Sequence, residues 1–94
     1  MNIKFTPTGW GDYSHWQAND AKILNRVNDL IRDICRDPFK GIGKPEALKG
    51  NLSGYWSRRI TDEHRIVYRI ETTIDSRTKK SIQNLCILQV RYHY

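Results

Sequence analysis

The sequence predicts an α+β domain in which two N-terminal helices pack on a twisted antiparallel β-sheet. Helical spacing of apolar residues dominates the first 39 residues, after a short strand-like segment at the N-terminus. Alternation of polar and apolar residues dominates from residue 55 onward. The resulting order, β-α-α-β-β-β, places the helices before a sheet of hairpin-connected strands. With 94 residues available, we expect residues 1–94 to form a single domain.

The N-terminal strand and the first helix have clear local signals. Asn2 to Phe5 alternates polar and apolar side chains, as a strand does. Thr6 then precedes Pro7, a pair typical of a helix N-terminus, with threonine as the cap and proline in the first turn. Three aromatic residues follow at steps of three, and we predict that they form a core stripe rather than a base-stacking surface: Trp10, Tyr13 and Trp16.

The second helix has the strongest periodicity in the chain. Asp20 offers a new N-cap, and Asp37-Pro38 ends the helix because proline cannot continue the hydrogen-bond ladder. Between these positions, apolar residues recur at helical spacing, with aspartate and arginine on the other side: Ile23, Val27, Leu30, Ile31 and Ile34. We expect the two helices to form a hairpin against the sheet.

A long loop precedes the main strands. Lys40 to Gly54 contains four glycines and little periodicity, and long loops in compact domains are often functional. Tyr55–Ile60 and His64–Ile70 both alternate, and we predict that they pair across a three-residue connection. This pairing places His64 itself on the core side of its strand.

The C-terminal part is predicted to form an exposed hairpin and a long last strand. The polar segment Thr72–Lys80 is predicted to extend a hairpin, and Leu85–Tyr94 is predicted to form the final strand. Alternation predicts an apolar face on that strand, formed by Cys86, Leu88, Val90 and Tyr92. The polar face would then be formed by Gln89, Arg91 and His93.

The net charge of +6 lies entirely in the second half of the chain. Five cations balance five anions in residues 1–39, whereas residues 40–94 hold eleven cations and five anions. Such asymmetry is typical of a surface that binds a polyanion, most often nucleic acid. On charge alone, an excess that only improves solubility fits equally well.

Several classes of protein are excluded by composition. The longest apolar run, Leu85 to Leu88, is too short to span a membrane, and no apolar signal region opens the chain. Cys35 and Cys86 have no metal-binding spacing and fit a reducing cytoplasm. No metal or other cofactor is expected, because the three histidines lie far apart in the sequence: His15, His64 and His93.

Two arginines are the first candidates for a phosphate site. The predicted pairing places Arg59 beside Arg65 on one face of the sheet, and opposed like charges destabilise a sheet. A bound phosphate would relieve that cost. The alternative, which the sequence alone favours, is that each arginine pairs with a nearby carboxylate: Asp62, Glu63 or Glu71.

Glu46 and His93 add acid–base chemistry to these cations. Glu46 is the only acid in the glycine-rich loop, and His93 joins the arginine face if the last strand lies beside the arginine strands. A base, an acid and cations are the groups that cleave RNA without a metal. Because the nucleophile would be the 2′-hydroxyl of the substrate, this chemistry selects RNA over DNA.

Several runs of the chain strongly resemble the YoeB (Txe) toxins of the RelE/ParE toxin–antitoxin superfamily. These runs are Gly43–Lys49, Asn51–Thr61, Glu63–Tyr68 and the terminal Arg91–Tyr94. The resemblance covers nearly the whole chain, except for a longer excursion between strands at Glu71–Asn84. It implies a fold like that of small microbial ribonucleases, and a ribosome-dependent endoribonuclease that cuts mRNA in the A site and arrests translation.

The resemblance also implies roles for individual residues. Glu46 would be the general base, His93 the general acid and Arg65 the cation that stabilises the phosphate. Three further residues would position the substrate: Lys49, Arg59 and Tyr94.

The expected partners are a YefM/Phd-type antitoxin, the ribosome with its rRNA, mRNA, and a second copy of the chain in a homodimer, all in the cytoplasm and without a membrane. An acidic, partly disordered antitoxin suits a surface of charge +6. Two alternatives remain: a ParE-like toxin that inhibits gyrase without cutting RNA, and a non-catalytic RNA-binding or co-repressor module. A protein that only binds needs cations but no acid–base pair, so Glu46 and His93 distinguish the nuclease from these two alternatives.

Overall fold

The computed structural model describes all residues, Met1–Tyr94, and confirms the α+β class. Two helices cover one face of a five-stranded sheet whose strand order is β1-β5-β4-β3-β2. A short 3₁₀ turn lies between β2 and β3 at Gly50–Leu52. The elements are β1 (Asn2–Phe5), α1 (Pro7–Asn19), α2 (Ala21–Arg36), β2 (Glu46–Ala47), β3 (Trp56–Arg59), β4 (Arg65–Ile74) and β5 (Ser81–Gln89).

The sheet is mixed, so the prediction of an antiparallel sheet was wrong for one strand. β1 runs parallel to β5, with Phe5 beside Ile87, whereas the other neighbouring strands are antiparallel. Hairpins force antiparallel pairing, but β1 and β5 are joined only through the rest of the domain. The sequence also gave no sign of β2, which is two residues long and lies inside the predicted loop.

Both helices begin at the predicted caps. The Thr6 hydroxyl accepts a hydrogen bond from the Gly9 N–H at 3.0 Å, and the Asp20 carboxylate accepts one from the Ile23 N–H at 3.0 Å. These side chains satisfy N–H groups that have no partner within the helix. The end of α2 at Arg36 is likewise as predicted from the following proline.

The hydrophobic core lies between the helices and the sheet. It contains Trp16, Val27, Leu30, Ile31, Ile34, Ile60, Ile66, Tyr68, Leu85, Ile87 and Val90. The predicted stripe of α2 is confirmed, with Ile23 at its partly buried edge. The aromatic stripe of α1 was only partly right, because Trp16 is buried whereas Trp10 is 54% exposed. At 3.6 residues per turn, two steps of three rotate the side chain by about 120° away from the core direction.

The prediction for the last strand was wrong in its bounds and, except at Val90, in its orientation. β5 runs from Ser81 to Gln89 rather than from Leu85 to Tyr94, and its Leu85 and Ile87 face the core, as does Val90 just beyond it. Four consecutive apolar residues gave no alternation to decide the face. Pairing with β4 decides it instead, because Ile87 lies beside the buried Tyr68 across an irregularity in the ladder.

The predicted exposed hairpin is confirmed. β4 and β5 remain paired as far as Ile74 and Ser81, and a turn over residues 75–80 joins them. Ile74 is 63% exposed near the tip. The tip lies at the end of β4 opposite to Arg65. No helix of the protein combines the length and the apolar character needed to cross a bilayer.

Candidate active site

A cleft of about 390 Å³ lies on the sheet face that the helices leave open. Its lining residues are Lys44, Glu46, Ser57, Arg59, Arg65, His93 and Tyr94. Five of the six predicted site residues therefore line one cleft. The sixth, Lys49, is exposed beside the 3₁₀ turn and does not line the cleft. Sequence reasoning missed Lys44 and Ser57, although Ser57 shares a strand face with Arg59 and could have been found by that alternation.

The two arginines lie directly opposite each other, as predicted. Arg59 pairs with Arg65 in the register of β3 and β4. Neither guanidinium forms an ion pair, so the expected alternative of neutralising carboxylates is not what the structure shows. Arg65 instead donates through Nη1 to the carbonyls of Thr61, Asp62 and His64 at 2.6, 3.1 and 3.1 Å. Carbonyl groups orient the Arg65 guanidinium but leave its full charge for an anion.

Glu46 reaches the cleft because β2 pairs it with Ser57. A tight turn immediately before β2 makes this possible. Gly43 and Lys44 both have positive φ, 79° and 52°, and the Arg59 N–H donates to the Gly43 carbonyl at 2.6 Å. A Cβ at Gly43 would meet a Leu30 methyl at 2.8 Å, so glycine is required there. The Glu46 carboxylate is exposed and makes no hydrogen bond or ion pair within the protein.

A buried arginine on the core face of β3 holds the loop that leads to Glu46. Arg58 is fully buried and forms an ion pair with Asp33. Its Nε–H donates to the Tyr68 hydroxyl oxygen at 3.2 Å. Its remaining donors reach three loop carbonyls: Asp37 at 2.6 Å, Lys40 at 3.2 Å and Ile42 at 3.2 Å. The alternation of side chains along β3 places Arg58 on the core face, but its partners come from a loop without periodicity.

Two titratable groups that bond to Arg58 have shifted pKa values. The pKa of Asp33 falls from 3.8 to about 2, chiefly because Arg36 hydrogen-bonds the carboxylate, with Arg58 and the Ile42 N–H adding to the effect. Burial raises the pKa of the Tyr68 hydroxyl. Both groups therefore stay in the form that binds Arg58 at neutral pH.

The C-terminal residues enter the cleft from a turn rather than from a strand face. The chain leaves β5 at Gln89 and reverses at Tyr92, whose φ is 67°. His93 and Tyr94 then stack with ring centroids 5.0 Å apart, and the Tyr94 and Ser57 hydroxyls share a hydrogen bond of 3.1 Å. His93 was thus predicted to join the arginines through strand alternation, but it does so through this turn.

A second cleft of about 230 Å³ has a different electrostatic character. It is lined in part by Lys4, Arg69 and Glu71, but here both cations form ion pairs with the carboxylate, with N–O distances of 3.6 and 3.0 Å. Burial, followed by the charge of Glu71, raises the pKa of the Cys86 thiol in this cleft. Only the first cleft offers unpaired cations together with a carboxylate that can take a proton and an imidazole that can give one.

Comparison with known proteins identifies the family. A family model described as the YoeB-like toxin of the bacterial type II toxin–antitoxin system matches residues 5–94. The chain belongs to this family. The toxin is 56% identical to the protein named Toxin YoeB of Streptomyces coelicolor, over the full length of both chains. The resemblance inferred from the sequence is thereby confirmed.

Solved structures are similar over the same extent. A YoeB/ParE toxin from Agrobacterium tumefaciens is 49% identical over the whole of both chains, with a TM-score of 0.88. YoeB in a heterotetrameric YoeB–YefM toxin–antitoxin complex from Staphylococcus aureus is 42% identical over 100% of this chain and 98% of that chain, with a TM-score of 0.80. A YoeB dimer from the same organism also has a TM-score of 0.79 and 43% identity, with coverage of 100% and 98%.

Proposed function

We propose that the toxin is a ribosome-dependent endoribonuclease that cleaves mRNA in the A site and so arrests translation, without using a metal ion. The observation that carries this proposal is the convergence of one unpaired carboxylate, two unpaired arginines and one histidine in a single cleft. Acid–base chemistry on a phosphodiester needs these groups, whereas inhibition of another protein by binding needs no paired acid and base.

In this mechanism the substrate supplies the nucleophile. Glu46 takes the proton from the 2′-hydroxyl, and the 2′-oxygen attacks the adjacent phosphorus. As that bond forms, the bond from phosphorus to the 5′-oxygen breaks, and His93 gives its proton to the leaving oxygen. The products are a 2′,3′-cyclic phosphate and a free 5′-hydroxyl. Arg65 stabilises the charge that develops on the phosphoryl oxygens, which is the step that a fixed cation accelerates most.

Other residues would hold the RNA in place. Arg59 lies opposite Arg65 and can bind the same phosphate or the next one. Tyr94, tied to Ser57 through its hydroxyl, offers an aromatic face on which a base can stack. Lys49 lies outside the cleft, so its role in this proposal is to bind a phosphate further along the strand.

The partners proposed for the toxin follow from its charge and its relatives. The cations of residues 40–94, apart from the buried Arg58, would provide a surface for rRNA. The staphylococcal relatives assemble with YefM and form a dimer, so we propose a YefM/Phd-type antitoxin and a homodimer for this chain, acting in the bacterial cytoplasm.

The decisive experiment maps the 5′ ends of cellular mRNA after brief expression of the wild type and of Glu46→Gln. The proposal expects new 5′ ends in phase with the reading frame, at A-site positions, in the wild type alone. Growth arrest without any new ends would overturn the nuclease and favour a target such as gyrase. New 5′ ends that are not in phase with the reading frame would contradict the proposed dependence on the ribosome.

A further inference from the structure

The turn that carries His93 into the cleft is held at both backbone polar groups of Tyr92. The Tyr92 N–H donates to the Nδ1 atom of His64 at 2.8 Å, and the Tyr92 carbonyl accepts from the Arg65 N–H at 3.0 Å. The backbone N–H and carbonyl of Tyr92 are therefore held by two consecutive residues at the start of β4. Because Nδ1 accepts this bond, the neutral His64 ring carries its proton on Nε2.

The His64 ring is itself fixed in place. Its edge-on contact with Trp16 has a centroid distance of 4.9 Å, and the Thr61 hydroxyl accepts from its backbone N–H at 3.1 Å. The Arg91 guanidinium lies over both Trp16 and Tyr92, at 5.8 and 4.6 Å from the ring centroids. His64 thus connects a core tryptophan of α1 to the turn beyond β5.

The segment before the turn is anchored independently by α1. The Trp16 indole N–H donates to the Val90 carbonyl at 2.8 Å, and the Val90 N–H donates to the Asp12 carboxylate at 3.0 Å. The chain is therefore fixed up to residue 90. Beyond that point, Tyr92 has φ of 67°, a conformation that a non-glycine residue keeps only where its surroundings impose it.

We propose that His64 is a positioning residue whose Nδ1 atom holds Tyr92 in the left-handed turn that delivers His93 and Tyr94 to the cleft. His64 does not line the cleft, so its side chain acts through Tyr92. The catalytic consequence rests on the proposed nuclease function, whereas the structural consequence does not. A displacement of about 1 Å in a catalytic group is enough to slow a reaction by roughly a hundredfold.

Two substitutions separate the hydrogen bond from the packing. His64→Phe keeps an aromatic ring against Trp16 but has no acceptor. His64→Asn gives up most of the ring but places an amide oxygen near the position of Nδ1. His15→Phe is the matched control, because His15 also contacts the edge of Trp16, at 4.8 Å, but bonds only to Asn19 within α1.

The measurements are amide hydrogen exchange at Tyr92, thermal unfolding, and single-turnover cleavage of mRNA on programmed ribosomes over a range of ribosome concentrations. In His64→Phe, we expect the amide hydrogen of Tyr92 to exchange at least about tenfold faster than in the wild type. We also expect cleavage at saturating ribosome concentration to be about ten- to a hundredfold slower, with little change in the ribosome concentration that gives half the maximal rate. We expect His64→Asn to keep most of the cleavage rate despite a lower melting temperature. His15→Phe should match the wild type.

Other results would overturn the proposal. Unchanged exchange at Tyr92 in His64→Phe would show that Nδ1 does not hold the turn. Cleavage rates that follow melting temperature across all three variants would reduce His64 to a structural residue. If the wild type itself does not cut RNA, the nuclease proposal fails, and the exchange data still decide the structural part.

Discussion

Arg58 and Arg59 are neighbours in β3, yet they lie on opposite faces of the sheet and in opposite environments. Arg58 is fully buried, with an ion-pair partner and hydrogen bonds to loop carbonyls. Arg59 is exposed, lies opposite another arginine and has no ion-pair partner. The same side chain therefore stabilises the fold on one face and leaves its charge free on the other. Substitutions on the two faces should affect different quantities.

The largest effect is expected from the acid–base pair on the open face. Glu46→Gln and His93→Gln should each slow cleavage by about a thousandfold, because each removes the proton acceptor or the proton donor of the proposed reaction. Melting temperature and antitoxin binding should stay at the wild-type values. Growth arrest at full strength in both variants would contradict the proposed chemistry, and loss of antitoxin binding would indicate folding residues instead.

Arg58→Met should produce the largest loss of stability. Removal of Arg58 leaves Asp33 without its buried partner and three loop carbonyls without donors, and such changes cost about 3 kcal/mol of unfolding free energy. Urea unfolding measures this loss, with Arg59→Met as the matched control. Equal losses in the two variants would show that the faces do not differ as described.

Arg65→Ala should slow cleavage by about a hundredfold, the scale of losing one group that stabilises the transition state. The Arg65 side chain bonds only to carbonyls of its own turn, so unfolding free energy should change little. Single-turnover rates on ribosomes measure the effect. A rate within about twofold of the wild type would place Arg65 outside the reaction.

The smallest effect is expected in the pH dependence of the unfolding free energy, to which Asp33 on the buried face contributes. The pKa of Asp33 is lowered from 3.8 to about 2 on folding, so the folded state binds fewer protons than the unfolded chain in this range. The stabilisation that the Asp33 carboxylate contributes is complete above pH 3.8, the pKa of the unfolded chain, and is lost as the pH falls toward about 2. Urea unfolding of the wild type and Asp33→Asn across this range should show a fall that the variant lacks. Parallel pH profiles would contradict the assignment.

The sequence was most informative where local physical chemistry decides the structure. The caps at Thr6 and Asp20 and the opposition of Arg59 and Arg65 all depend on side-chain type and short spacing, and all were predicted correctly. The parallel pairing of β1 depends on the whole domain, so no local pattern reveals it.

The prediction of His93 teaches a different lesson. His93 does lie in the cleft, but the strand argument that selected it was wrong, because β5 presents its other face to the core and ends at Gln89, four residues before His93. In the turn, the Tyr92 N–H bonds to an acceptor 28 positions away in the sequence. A contact of that range leaves no periodic signal in a single sequence.

The proposed acid lies outside the sheet, whereas its proposed partners lie within it. Glu46, Arg59 and Arg65 belong to β2, β3 and β4, but His93 and Tyr94 follow the end of β5 at Gln89. A protease that removes the residues after the turn at Tyr92 would therefore leave all five strands, both arginines and Glu46 in place, but no imidazole in the cleft. Under the proposed function, a single cut after β5 is enough to disarm the toxin without dismantling its sheet.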